Sequence, residues 1–263
     1  MLKSLINSAG VTMRFLSILM FLTLLFSCST DRPSGKTEAE VLFKEAQDLM
    51  KDERYLLATE RLNTLRQQYP YSYYATHAEL MQADILFAQE NFVEAAAAYI
   101  LFKDFHPRHK KLPYVIWRIA ESYYFQLPET FDRDLSPGHE AIKYYEELKR
   151  AFGKYEKADE ATKKISEIEK MIEQKEKYIA DFYYRTEVYD AARFRYLEIL
   201  RHFNDTELRD HSMVRIVRAS GYLNDPQNCQ KHFKVFRTKV SKDAKDELER
   251  AFKSCVNNKG SES

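Results

Sequence analysis

Residues 46–70 read AQDLMKDERYLLATERLNTLRQQYP, and the spacing inside this stretch recurs twice more. Ala46 and Ala58 lie 12 apart, and Pro70 follows 12 later. In ADILFAQENFVEAAAAYILFKDFHP, residues 83–107, Ala83, Ala95 and Pro107 keep the same steps. In ADFYYRTEVYDAARFRYLEILRHFN, residues 180–204, Ala180 and Ala192 do so, and Asn204 stands at the proline position. The large residues keep step as well. Leu49, Leu86 and Tyr183 fall three after the first alanine, Leu62, Tyr99 and Tyr196 four after the second, and Leu65, Phe102 and Ile199 three later again. This pattern predicts two antiparallel helices per unit. Alanine lets the backbones approach, large residues fill the seam, and proline ends the second helix because it cannot continue the hydrogen-bond ladder.

The unit matches the tetratricopeptide pattern of about 34 residues. The expected fold is all-α, a superhelix of about five tetratricopeptide-like helix pairs over residues 38–256. One unit is distorted. Ala120 and Tyr123 open it, Ala141, Tyr145 and Leu148 close it, and Gly153 stands at the stop. QLPETFDRDLSPGH, residues 126–139, reads as a loop inserted between its helices. A further unit is expected to start at Ala219 and Tyr222, turn at Asn224–Pro226 and return through Cys229–Val240. In between, Ile165, Ile168, Ile172, Ile179 and Phe182 predict a long charged helix with one buried stripe. Tyr 18 and Phe 17 against Gly 6 and Pro 7 suit helices packed through aromatics. A net charge of +1 means that the bulk charge implies neither a nucleic-acid partner nor an anionic surface.

The N-terminus carries a different signal. FLSILMFLTLLF, residues 15–26, is uncharged and follows Lys3 and Arg14. It is shorter than the roughly 20 residues that span a bilayer and matches the apolar region of a secretory signal peptide, with Met13 as an alternative start to Met1. Leu25-Phe26-Ser27-Cys28 resembles the bacterial lipobox, although Phe26 is bulky for its place. The expected organisation is a signal peptide over 1–27, lipidation at Cys28, a tether over 28–37 and a disordered tail over 257–263. Ser29, rather than Asp, after the lipidated cysteine favours the outer membrane. Cys229 and Cys255 remain, either bridged in an oxidising compartment or as two buried thiols.

Four segments resemble, in order, those of the BamD family, the tetratricopeptide lipoproteins of the β-barrel assembly machinery. They are LNTLRQQYPYSYYATHAEL (62–80), ILFKDFHPRHKKLPYVIWR (100–118), DRDLSPGHEAIKYYEELKR (132–150) and IADFYYRTEVYDAARFRYLEIL (179–200). The most specific elements are YPxS at Tyr69–Ser72, HPxH at His106–His109 and DRD at Asp132–Asp134. Two departures are Gly153, where the family has proline, and the basic tail with its cysteine pair after Tyr222. The resemblance implies a lipid-anchored protein on the periplasmic face of the outer membrane. It implies docking on a BamA-type β-barrel insertase, association with other Bam lipoproteins and recognition of unfolded outer membrane proteins. It implies that Arg195 reaches an acidic group on the insertase, for which a guanidinium fork is suited, with Tyr189 in the same dock. The alternative is another envelope lipoprotein with these repeats, such as a secretin pilotin or a scaffold. The inserted loop and the long helix after it favour the first reading.

Helical repeats bind peptides on the face lined by the first helix of each unit. Residues three before, one after and four after Ala46, Ala83 and Ala120 are expected to face inward. These are Phe43, Gln47 and Met50; Leu80, Asp84 and Phe87; Trp117, Glu121 and Tyr124, with Tyr114 one turn earlier. Aromatics with a few polar groups suit an extended peptide with an aromatic end; the same residues also suit inter-repeat core. His106 and His109 have no further ligand at metal spacing and read as turn packing, so no metal or cofactor is expected. Asp132-Arg133-Asp134 lacks a nucleophile, base or phosphate cradle, and reads as a salt bridge anchoring the inserted loop rather than as an enzyme's site.

Overall fold

The structure, a computed structural model, describes residues 32–257. The signal peptide, Cys28, the first part of the tether and the tail beyond Asn257 lie outside the described residues. Eleven helices and no strand occur among the described residues: α1 Glu38–Lys51, α2 Tyr55–Gln68, α3 Tyr73–Ala88, α4 Phe92–Phe105, α5 Leu112–Tyr124, α6 Ser136–Ala151, α7 Ala158–Arg185, α8 Tyr189–His202, α9 Thr206–Tyr222, α10 Pro226–Phe236 and α11 Lys245–Asn257. The fold is all-α, of tetratricopeptide-like helix pairs. The described residues fall into two compact units that divide within α3, between Glu79 and Leu80.

In the first unit, α1 starts at a capped terminus. Glu40 N–H donates to the Thr37 hydroxyl at 3.2 Å, and the Glu40 carboxylate accepts from Lys36 N–H at 2.9 Å. The described part of the tether is held against this helix. Arg32 pairs with Glu38 and Glu45, and Lys44 Nζ donates to the Ser34 carbonyl at 2.8 Å.

Four turns share one geometry. Glu53, Glu90, Glu187 and Asn224 have φ of 58°, 61°, 64° and 51°. Each N–H reaches the carbonyl three residues back, and the next N–H reaches the carbonyl five back. Arg54 to Leu49 is 2.8 Å, and Asn91 to Leu86, Val188 to Tyr183 and Asp225 to Ser220 are each 3.0 Å. This is the left-handed C-terminal cap that satisfies the last carbonyls of the first helix and reverses the chain.

The turn corrects the register of the last unit. The left-handed residue lies seven after Ala46, Ala83 and Ala180, so Asn224 matches Val217 rather than Ala219. Cys229, Phe233 and Phe236 then hold the places of Ala58, Leu62 and Leu65 in α2. Val217 and Cys229 are both fully buried. Because neither is alanine, a search by alanine spacing misses them. Cys229 is bridged to Cys255 of α11, with the Cα atoms 6.5 Å apart. Gly221 of α9 lies beneath, where an added Cβ would sit 3.0 Å from the Cys255 Cα.

A second repeated device concerns tyrosine. Tyr99, Tyr145 and Tyr196 are each fully buried, and a buried hydroxyl requires an acceptor. Each finds one on the residue that follows the first-helix alanine. Tyr99 donates to Asp84 at 2.6 Å, Tyr145 to Glu121 at 2.6 Å and Tyr196 to Asp181. The same carboxylates meet the first helix of the following pair, through the Tyr114 hydroxyl at 2.7 Å, Lys164 Nζ at 3.3 Å and His211 Nε2 at 2.7 Å. Where the tyrosine is replaced, by Leu62 or Phe233, the carboxylate is replaced too, by Gln47 or Arg218.

The long helix α7 buries Ile165 and Ile168, whereas Phe182 is 46% exposed. At about 100° per residue, Phe182 has drifted roughly 100° from Ile165, so the expected stripe does not hold to its end. The inserted loop is shorter than expected, because Ser136 and Pro137 already open α6. It is anchored by Lys175 Nζ donating to the Arg133 carbonyl at 2.6 Å and by Phe131 against Tyr178 at 5.9 Å. The expected carboxylate salt bridge is not what fixes it: Asp134 instead accepts from Ser136 N–H and Oγ at 3.0 and 2.7 Å.

Glu90→Gly should raise unfolding stability by about 0.5–1 kcal/mol, since a left-handed conformation costs an L-residue about 1–2 kcal/mol and glycine returns part of that as chain entropy. Glu90→Val should lower it. Urea unfolding of both variants measures this, and a loss on Glu90→Gly would refute the turn. A second expectation concerns pH. Burial opposes the Asp181 charge, but hydrogen bonds from His211, Lys177 and Tyr196 outweigh it and hold the carboxyl well below the usual range. A depressed pKa contributes stability above the unfolded value and loses it as pH falls through the folded one. Asp181→Asn should therefore cost roughly 1–2 kcal/mol at neutral pH, and the gap to wild type should close only below the ordinary carboxylate range. A gap that stays constant from neutral to strongly acid pH would show that the charge is irrelevant.

Candidate functional site

The expected inward face divides into core and surface. Leu80, Trp117 and Glu121 are 2%, 5% and 7% exposed, which removes them from a peptide surface. The cause is the neighbouring helix. Trp117 packs on Tyr145 at 5.4 Å, and Glu121 is enclosed by Tyr145 and Lys164. Asp84 is half-buried and occupied by two tyrosine hydroxyls. In the first unit, Phe43 is half-buried against Tyr74 at 5.5 Å, Gln47 is exposed and Met50 is half-buried.

Phe87, Tyr114 and Tyr124 remain partly open in the second unit. Two phenylalanines that the alanine rule does not reach complete the patch. Phe92 begins α4 immediately after the turn, and Phe125 follows α5. Phe87 meets Phe92 at 5.3 Å and Phe125 at 5.8 Å; Phe92 stacks on Phe125 at 5.1 Å; Tyr124 meets Phe125 edge-on at 5.7 Å. Phe125 is 49% exposed. Two cations lie on these rings, Arg118 at 4.3 Å over Phe87 and Lys164 at 3.6 Å over Tyr124. Their signal in the sequence was the pairing of an aromatic with a helix end, at Asn91-Phe92 and Tyr124-Phe125.

Burial and its contact with Asp84 push the Tyr114 hydroxyl up to about 12. Burial and a 2.9 Å hydrogen bond to Glu167 do the same for Tyr124, also to about 12. Both therefore stay neutral donors at physiological pH. The patch combines partly open ring faces with two cations, Arg118 donating to the Tyr114 hydroxyl at 3.1 Å and Lys164 pairing with Glu121 at 3.3 Å.

A second aromatic surface lies at α7–α9. Tyr189 stacks on Tyr222 at 4.4 Å, Tyr184 meets Tyr189 edge-on at 5.5 Å, and the Arg215 guanidinium lies 4.2 Å over Tyr184. Tyr222 is 54% exposed. Arg195 stands 3.7 Å from Glu176, with 40% of its side chain exposed. Tyr184, Arg215 and Tyr222 were not among the expected dock residues.

His106 and His109 pack on Phe102 at 4.6 and 5.1 Å. Among the described residues no group of three or more His, Cys, Asp or Glu is placed to hold a metal ion. Among the same residues no helix is long and apolar enough to cross a membrane.

The profile of the YfiO family, described as outer membrane lipoprotein, matches residues 36–235. Outer membrane protein assembly factor BamD of Neisseria gonorrhoeae is 24% identical over 234 residues, covering 83% of this chain and 88% of that one. The protein of the same name from Vibrio cholerae is 26% identical over 216 residues, covering 75% and 86%. That of Rickettsia prowazekii is 24% identical over 225 residues, covering 84% and 89%. The family match takes in α1 to α9 and nearly all of α10, and leaves α11 with Cys255 outside; the chain belongs to the YfiO family of outer membrane lipoproteins.

Proposed function

We propose that this protein is an outer membrane protein assembly factor. In this reading it is lipid-anchored through Cys28 on the periplasmic face and carries substrate segments to a β-barrel insertase. The family match over residues 36–235 carries the proposal, and the similar proteins bear the assembly-factor name. The aromatic patch of Phe87, Phe92, Tyr124 and Phe125, with Arg118 and Lys164, would receive an extended, aromatic-bearing segment of an unfolded barrel protein. The surface around Tyr189, Tyr222 and Arg195 would dock a BamA-type insertase, Arg195 exchanging Glu176 for a carboxylate of the partner. Other Bam lipoproteins would share the assembly. The protein would act by binding and positioning rather than by catalysis.

Two substitutions separate the roles. Tyr124→Ala with Phe125→Ala should reduce photocrosslinking to an aromatic-ended barrel peptide by roughly tenfold or more, because stacking and buried ring area are each worth about 1 kcal/mol or more. Arg195→Glu should spare peptide crosslinking and weaken copurification with the insertase. Both must retain helical circular dichroism. Unchanged peptide crosslinking would remove the patch, and an intact complex with Arg195→Glu would remove the dock. In addition, Cys28→Ser should move the protein from the membrane to the soluble periplasmic fraction.

A further inference from the structure

The C-terminal helices carry a charge arrangement that neither docking surface uses. From Pro226 to Lys242 there is no Asp or Glu, whereas Lys231, Lys234, Arg237, Lys239 and Lys242 all fall there. All five are exposed. The whole chain has a net charge of only +1, so this is a local concentration rather than a property of the bulk. The helix period explains the placement. Cys229, Phe233 and Phe236 turn to the core side of α10, and Lys231, Lys234 and Val235 share the opposite side, where Val235 is 44% exposed. The bridge to Cys255 and the stacking of Phe233 on Phe252 at 4.0 Å fix α10 to α11, so the basic side is presented by a rigid element. Of the neighbouring carboxylates, Asp225 pairs with Arg193 at 2.8 Å, Asp210 accepts from Ser241 N–H at 3.1 Å and Glu247 pairs with Arg218 at 3.0 Å, whereas Asp243 adjoins Lys242 and, with Asp246, is exposed. Among the described residues none of the five cations belongs to an ion pair.

We infer that this surface is a second membrane contact that recognises the anionic headgroups of phospholipids. The inference rests on the reading of the protein as a lipid-anchored outer membrane protein. Two observations favour a bilayer over an acidic polypeptide. Four of the five cations are lysines, point charges that suit a diffuse anionic surface, whereas carboxylate recognition favours the arginine fork. Val235 gives the same side an apolar residue to seat between headgroups. Such a contact would hold the last helix pair at the membrane surface while the anchor holds the first residues of the chain.

The test uses the full mature chain with Cys28→Ser, so that no acyl chain contributes. Vesicles of phosphatidylglycerol with phosphatidylcholine are compared with vesicles of phosphatidylcholine alone by flotation. Binding is expected only with phosphatidylglycerol and is expected to fall in high salt. Lys231→Glu, Lys234→Glu and Lys239→Glu together should weaken it roughly hundredfold or more, at about 1 kcal/mol per cation near an anionic surface. Arginine at the same three positions should retain binding, which separates lost charge from lost folding. Equal binding to both vesicles, or undiminished binding by the triple glutamate variant, would overturn the proposal. So would binding to polyglutamate with none to phosphatidylglycerol, which would make the patch protein-facing. Acylation and membrane fractionation of the wild-type chain report on the anchor separately, so failure there is distinguishable from failure of the patch.

Discussion

A tyrosine hydroxyl buried between two helices has to find an acceptor, and much of this structure is arranged around that requirement. Tyr99, Tyr145 and Tyr196 are sealed from solvent, and each donates to a carboxylate one residue beyond the alanine where its helix pair is closest. The acid is thereby placed where the next first helix arrives. It accepts there from Tyr114 or His211, or pairs with Lys164. One polar contact thus satisfies a pair internally and joins it to its successor. Since an unpaired buried carboxylate or hydroxyl costs more than the net gain of the bond, these groups specify register between pairs as much as they add stability.

That arrangement also decides where function is available. The first-helix carboxylates are spent on the core, so Asp84 and Glu121 offer little to a ligand. The open chemistry lies at helix ends instead, where Phe87, Phe92, Tyr124 and Phe125 gather around a turn and a loop. Ring faces there already hold Arg118 and Lys164. Both cations have polar partners as well, Arg118 donating to the Tyr114 hydroxyl at 3.1 Å and Lys164 pairing with Glu121 at 3.3 Å. At α7–α9 a comparable shelf of Tyr184, Tyr189 and Tyr222 sits beside Arg215 and is built from later repeats.

The pair α9–α10 is held differently from the others. Cys229 occupies the close-approach place that alanine holds elsewhere, and its bridge draws α11 onto α9 above Gly221. A covalent link thus joins α10 to α11. α11 lies beyond the part of the chain that matches the family.

The alanine spacing at Ala46/Ala58, Ala83/Ala95 and Ala180/Ala192 was sufficient by itself to determine helix pairs, because close approach of two helices admits only a small side chain and that limit is written at fixed offsets. The stops at Pro70 and Pro107 and the inserted loop were legible for the same local reason. The last register was not, since Val217 and Cys229 meet the steric demand without being alanine, and only the left-handed residue Asn224 aligns them with the other pairs. Nor could the chain's own period say which aromatics stay open. Trp117 and Tyr124 lie seven apart, two turns along nearly the same side of α5. Trp117 is enclosed by Tyr145 from α6, whereas Tyr124 borders a loop and stays partly open. A residue's side of a helix is fixed by its own sequence, but its burial is fixed by the element that packs against it, and that only the tertiary structure decides.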